Sequence, residues 1–203
     1  MEDTIFTIGY SGFSADEFTK VLKKNDISVL IDVRSSPFSA YYTDFNKPAL
    51  ENRLRKNGIY YSNFAPAFGA RQEDARFYNR EGYLDFEKFA ASEQFRSGVD
   101  KLCRGMEQGY RTVLMCAEKN PAECHRCILV SRAFSDRGHH VVHLLPNGIS
   151  QTQEDVELQL LNDYFPDREQ FSLFEMPDEA ELIKEAYRRR NAEIGYRQEE
   201  NAG

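Results

Sequence analysis

The chain has 203 residues, 41 % of them hydrophobic and 29 % charged, which excludes a mostly disordered polymer and suits one sizeable α/β domain, alone or with an appendage. No apolar run approaches the ~20 residues of a membrane helix, and the start MEDTIFTIGY lacks the basic and apolar regions of a cleaved leader, so a cytoplasmic location is expected. A net charge of −7 argues against nonspecific binding of nucleic acid or membrane, and four cysteines (Cys103, Cys116, Cys124, Cys127) are too few for a disulfide framework, so reduced thiols are expected.

Residues 4–8 (TIFTI) read as a short strand ending at Gly9. Ser14-x-x-Glu17 is a capping box, and Phe18, Val21 and Leu22 give the helix through Lys24 its apolar face. Residues 27–33 (ISVLIDV) are nearly continuous apolar, as in a strand buried on both faces of a parallel sheet. A second helix is predicted over 47–57, closed by Asn57-Gly58, and a short strand over 59–61. The stretch 62–84 carries aromatics, Pro, Gly and arginines (Arg71, Arg76, Arg80) without a period; its length points to a lid or binding loop.

Helical periodicity returns over 85–108, followed by a buried strand over 111–116, a helix over 123–136 and a strand over 140–145. Beyond Pro146-Asn147-Gly148 the chain turns acidic. Residues 1–150 hold 20 basic against 19 acidic side chains, whereas residues 151–203 hold 6 against 14. Helices are expected near 151–163 and 178–193, then a frayed polar terminus. The expected fold is therefore a parallel-sheet, three-layer, Rossmann-like α/β domain over 1–148, with an acidic helical C-terminal extension over 149–203 packed on it or mediating association.

In parallel sheets ligands bind outside the carboxyl ends of the strands. Three polar clusters follow strands here: Gly9-Tyr10-Ser11-Gly12, Asp32-Val33-Arg34-Ser35-Ser36-Pro37, and Cys116-Ala117-Glu118. Arg34 beside Ser35 and Ser36 suits a phosphate or carboxylate, or else an ion pair with Asp32 or Glu118 that only supports the loop. Glu118 is placed as a general acid or base, and Cys116 or Cys124 as a nucleophile, against the alternative of small buried thiols. Arg126 either holds an anion or pairs with Glu118, and His125 can titrate or bind an anion. Tyr10 and Ser11 are placed as ligand contacts, and Pro121 as the first turn of the following helix. His143, in VVHLL, reads more readily as a satisfied core residue than as a site residue.

The segments TIGYS, DVRSSP-x-S and C-x-E-x-x-P-x-x-CHR, in this order, resemble the domain of unknown function 488 family, over roughly residues 4–145. The family's activity is unassigned, so the resemblance implies where a site lies and not which reaction it performs. Ala40 after Ser39, and Ala70 in FGAR, depart from its pattern.

Three known types of site can be set against the spacing. Zinc deaminases share the residue types, but only five residues separate Glu118 from Cys124. A structural zinc site from Cys116, Cys124, Cys127 and one His lacks a second paired motif, so metal-free thiols and no cofactor are expected. Rhodanese-type sulfurtransferases and cysteine phosphatases need a tight loop from Cys to Arg, whereas Arg126 lies ten residues after Cys116. The expectation is thus an enzyme binding a small anionic ligand such as phosphate or a nucleotide. The alternative is a non-catalytic module binding nucleotide, nucleic acid or protein; rhodanese-like sulfur transfer comes a distant third. No membrane partner is expected, and the sequence leaves the oligomeric state open.

Overall fold

The computed structural model describes residues 3–168 and 178–198. Its elements in chain order are β1 (Thr4–Gly9), α1 (Ala15–Lys24), β2 (Val29–Asp32), α2 (Lys47–Lys56), β3 (Tyr60–Asn63), α3 (Ala65–Phe68), α4 (Phe86–Ala90), α5 (Glu93–Glu107), β4 (Thr112–Cys116), a π-helical segment (Arg126–Ser131) running into α6 (Arg132–Ser135), β5 (His140–Leu144), β6 (Ser150–Thr152), α7 (Gln153–Tyr164) and α8 (Glu179–Ile194).

The strands form one six-stranded sheet in the order β3-β2-β4-β1-β5-β6. All neighbouring strands are parallel except β5 and β6. Side chains alternate along each strand, so the sheet feeds two apolar clusters. Phe6, Ile8, Leu30, Val113 and Met115 meet Phe18 and Leu22 of α1 and Leu50 and Leu54 of α2. Ile5, Ile31, Leu114 and Val141 meet Phe95 and Val99 of α5, Ile128 to Val130, Phe134, Leu160 of α7 and Tyr187 of α8. The near-continuous apolar strands of the sequence are explained by this two-sided burial.

Several expectations need correction. The helix expected over 85–108 is two helices, because Ser92 caps a fresh start through the amide of Phe95. The helix expected over 123–136 begins only at Arg126: Pro121 heads a separate 3-10 turn, Pro121–Glu123, and Cys124 is extended at φ −132 and ψ 134. Strand β6 went unread because three polar residues show no period; it folds back on β5 as a hairpin, with the Leu145 amide donating to the Ile149 carbonyl. The stretch 62–84 is anchored rather than lid-like, since Phe68 and Leu84 are fully buried and α3 packs on Gly98, where a Cβ would lie 2.7 Å from that of Ala67. The tail expected to fray is pinned as far as it is described: the Leu84 amide donates to the Tyr196 carbonyl, and Arg197 bridges Tyr83. Residues 169–177 of the acidic extension and the tail beyond 198 lie outside the described residues. No helix among the described residues is long and apolar enough to cross a membrane.

One polar chain crosses the second cluster. The oxygen Oε1 of Gln153 only accepts, so His143 Nε2 carries the proton toward it at 3.2 Å, and His143 Nδ1 accepts from the Thr7 hydroxyl at 2.7 Å. The Gln153 amide then donates to the Tyr187 hydroxyl at 2.7 Å, which donates to Glu157 at 2.9 Å. Burial, reinforced by the charge of Arg126, pushes the His143 imidazole down to about 3. The unfolded chain therefore binds a proton that the fold refuses between about pH 6.5 and pH 3, so this contribution is complete above that window and is lost as pH falls through it, at up to about 1.4 kcal/mol per pH unit. Denaturant melts between pH 7 and pH 4 are expected to show a shallower acid-side slope for His143→Asn than for the parent; equal slopes would remove His143 as the cause.

Candidate functional site

Parallel pairing brings the carboxyl ends of β1, β2 and β4 to one edge. The ladder continues past the strands: the Tyr10 amide donates to Cys116 O at 3.1 Å, Ser11 to Ala117 O at 2.9 Å and Val33 to Met115 O at 3.0 Å. The exit of β4 is therefore held from both sides. At Gly9 a Cβ would sit 1.7 Å from the Glu118 carbonyl oxygen, so only glycine lets the two backbones approach this closely.

From Cys116 the chain passes Glu118, turns through Pro121–Glu123 under an Asn120 cap, and returns along extended Cys124. The return brings a second sulfur back to the first. Glu118 Oε2 lies 3.0 Å from Cys116 Sγ and 2.9 Å from Cys124 Sγ. His125 Nδ1 lies 3.8 Å from Cys116 Sγ, and His125 Nε2 lies 3.1 Å from the Val33 carbonyl. That carbonyl can only accept, so Nε2 carries a proton and Nδ1 faces the sulfurs. Both cysteines are buried and His125 is half-buried, while Glu118 reaches the surface.

Charge is divided unequally. Burial, then the contact with Cys124, pushes the Cys116 thiol well up. Burial opposes ionisation of Cys124 too, but the hydrogen bond from Cys116 and the charges of Arg126 and His125 outweigh it and hold this thiol well below its ordinary value. Burial and the neighbouring Cys124 raise Glu118. Burial opposes protonation of His125, yet its contacts with Cys124 and Glu118 raise it.

Beside this cluster, Arg34 is held by Asp32 through two bonds, Nε to Oδ1 at 2.8 Å and Nη2 to Oδ2 at 2.6 Å, and donates to Phe45 O at 2.9 Å. Tyr61 donates to the same carboxylate at 2.8 Å. The ion pair named as an alternative at sequence level is thus present, with Asp32 as its partner. Arg34 Nη1 is buried and makes no hydrogen bond among the described residues. Its guanidinium lies over the Tyr10 ring, which stacks on Phe45 and meets Tyr42 edge-on. Burial raises the Tyr10 phenol, and its electrostatic neighbours are Arg34, Cys116 and Glu118.

The structure therefore brings together Tyr10, Arg34, Cys116, Glu118, Cys124 and His125. Arg126 adjoins them from below but faces no open space: it is fully buried and donates to the carbonyls of Glu118 at 2.5 Å and Lys119 at 3.3 Å, and to Thr7 Oγ1 at 3.4 Å. It pairs with the backbone of Glu118, not with its carboxylate as the sequence reading allowed. Ser35 turns away, accepting from the Arg71 amide at 2.8 Å beside a cavity of about 480 Å³. Ser11 takes part through its backbone. Cys127, weighed as a zinc ligand, is directed elsewhere: its sulfur lies 3.6 Å from both His143 Nε2 and Gln153 Oε1, and burial pushes the thiol up to about 12. What sequence reasoning missed is the joint grouping of Cys116, Glu118, Cys124 and His125, whose ligating atoms lie within 4.8 Å of one another. The adjacent Cys124-His125 pair was the available signal.

Comparison with known families matches residues 14–133 to the family described as Domain of unknown function DUF488, and the chain belongs to that family. The match includes the Asp32–Ser39 and Cys116–Arg126 segments but not Thr7–Ser11. No curated protein and no solved structure matches the chain.

Two substitutions test this framework. Arg126→Ala leaves two carbonyls without their donor and a cavity besides, and is expected to cost about 3–5 kcal/mol in a denaturant melt. Gly9→Ala must displace the 117–120 loop, so thiol accessibility at Cys116 and Cys124 is expected to rise in a timed alkylation assay. A Gly9→Ala protein with the parent's melting and alkylation would contradict the close approach.

Proposed function

We propose that this member of the family is an enzyme acting on an anionic small molecule of the nucleotide class at the carboxyl edge of the sheet. The observation that carries the reading is one carboxylate oxygen, on a residue open to solvent, in contact with two buried sulfurs. Buried polar groups assembled at a sheet edge and opened to water through a proton-carrying side chain suit acid–base chemistry better than passive packing. In this reading Glu118 moves the proton, and the sulfurs with His125 form the reactive centre.

Arg34 supports an anionic substrate, because its Nη1 makes no well-formed hydrogen bond and faces only the Tyr10 phenol, while Asp32 and the Phe45 carbonyl fix the rest of the fork. Aromatic side chains support a ring-bearing one: Tyr41 is 93 % and Phe38 63 % exposed on the loop that follows β2, the same loop whose Tyr42 meets Tyr10 edge-on. Exposed aromatics at a site mouth suit stacking on a base. A broad nucleic-acid groove has less support, since Arg76 is paired with Asp74 and Arg71 lies over Tyr196. With helices on both faces of a mainly parallel sheet, we read the architecture as the three-layer, Rossmann-like arrangement that places substrates at this edge.

The test is a thermal melt with inorganic phosphate and with a nucleoside monophosphate at matched ionic strength. Saturation to ~100 times the dissociation constant is expected to add about 2.7 kcal/mol. Phe38→Ala and Tyr41→Ala are expected to weaken the nucleotide's effect by about 1–3 kcal/mol while leaving that of phosphate unchanged. Glu118→Gln is expected to keep the nucleotide shift and lower turnover by roughly 10²–10⁴. Melting that neither anion moves would remove the substrate class.

A further inference from the structure

We propose that Cys116, Cys124 and His125, with Glu118 as the solvent-facing fourth ligand, form a mononuclear site for a divalent ion of the zinc class. The inference rests on the reading of these residues as the reactive centre and specifies what that centre holds.

The donor geometry comes first. Tetrahedral zinc with bonds of about 2.3 Å to sulfur and about 2.0–2.1 Å to nitrogen or oxygen separates its donors by about 3.3–3.8 Å. Here the separations are 2.9 and 3.0 Å from Glu118 Oε2 to the two sulfurs and 3.8 Å from Cys116 Sγ to His125 Nδ1, with all four donor atoms within 4.8 Å of one another. Shifts of a few tenths of an ångström at Glu118, the most exposed of the four, would satisfy the ion.

The histidine is oriented as a ligand. Its Nε2 proton faces the Val33 carbonyl, leaving Nδ1 as the donor toward the sulfurs.

Charge and softness select the ion. Two thiolates and a carboxylate around a divalent cation leave one negative charge, and the fully buried Arg126 guanidinium, bonded to the Glu118 carbonyl, lies beside it. On binding, any proton still on a ligand sulfur passes to solvent, so the site is left with one negative charge beside the Arg126 cation. Two sulfurs and an imidazole disfavour magnesium and calcium, which take oxygen donors.

The backbone is set before any ion arrives. Cys116 O accepts from the Tyr10 amide, and the Cys124 amide donates to Pro121 O. Three ligands are thus fixed, and the exposed fourth can yield to water, as in zinc sites that perform catalysis. Where sequence spacing favoured metal-free thiols, the fold puts Glu118 in the place of Cys127 and supplies His125 as the histidine.

The full chain, purified without chelator, should carry about one zinc per chain by elemental analysis. Replacing zinc with Co²⁺ should give tetrahedral visible bands and a sulfur-to-cobalt charge-transfer band of two-thiolate intensity. Cys116→Ser and Cys124→Ser should each lower Zn²⁺ affinity by at least about 100-fold, with the charge-transfer band halved. Glu118→Gln should lower it by about tenfold with both bands kept, and Cys127→Ser should bind as the parent does. If a substituted protein fails to fold, the band intensity of the parent still counts the thiolates. Failure of the folded parent to bind Zn²⁺ or Co²⁺ at micromolar concentration, or a Co²⁺ spectrum that only Cys127→Ser alters, would overturn the site. Absence of metal with a large turnover loss in Glu118→Gln would sink the metal site and leave the enzyme reading intact. Stoichiometric zinc on these ligands, with no response to phosphate or nucleotide, would support the metal site and sink the substrate reading.

Discussion

A guanidinium without access to water organises the carboxyl edge of the sheet. Arg126 is fully buried, yet its nitrogens have partners because β4 delivers the Glu118 and Lys119 carbonyls to it after leaving the sheet. Burying a charge unpaired is costly by several kcal/mol, so the loop cannot leave without exposing the cation to an apolar interior. The same loop bears Glu118 and leads to Cys124. The position of the reactive side chains therefore follows from the backbone's obligation to Arg126, and Gly9 supplies the space in which that obligation is met.

The constraint reaches beyond the edge. Arg126 Nε also donates to Thr7, from which the polar chain runs through His143, Gln153 and Tyr187 to Glu157. Each link of that chain runs from a donor to an acceptor, the Gln153 amide donating also to Cys127 Sγ at 3.4 Å, and reversing one link would strand a buried donor against another donor. Helices α7 and α8 thereby contribute partners to the network that Arg126 begins, as well as apolar area at Leu160 and Tyr187. The acidity of the last quarter is also unevenly placed. Helix α7 has Glu154, Asp155, Glu157 and Asp163 and no basic residue, whereas α8 has four acidic and four basic residues, and Arg190 of α8 pairs with Asp163 of α7.

Much of the fold was legible because burial on both faces writes itself as apolar runs. The runs at 27–33 and 111–116 place β2 and β4, and Ser14 with Glu17 marks the start of α1 by a local hydrogen-bond pattern. Elements fixed by tertiary contact left no such trace. β6 has three polar residues paired to β5, and the break at Cys124 depends on a turn that no periodicity reports. At the site, residue types were readable and pairings were not. Arg34 and Arg126 carry the same charge and both lie in segments rich in polar residues. Only the fold decides that one grips a carboxylate while the other grips carbonyls. Cys127 lies three residues from Cys124, a spacing that suggests a shared helix face, but Cys124 is extended and the helix begins after it, so the two sulfurs part company.

The distribution of burial within the cluster has a chemical consequence. Cys116 and Cys124 are nearly inaccessible, and His125 is held by the Val33 carbonyl just past β2. Glu118 is the most exposed of the four and touches both sulfurs. The two buried sulfurs do not meet water directly, so protons entering or leaving them pass through Glu118 or the half-buried His125. The rigidity on one side and the opening on the other come from a single backbone feature. The Glu118 carbonyl is locked inward onto Arg126, while its side chain lies between the two buried sulfurs and solvent. One residue thus ties the reactive centre to the core through its backbone and to the solvent through its side chain, which is why a change at Arg126 or Gly9 should be felt at the sulfurs without touching them.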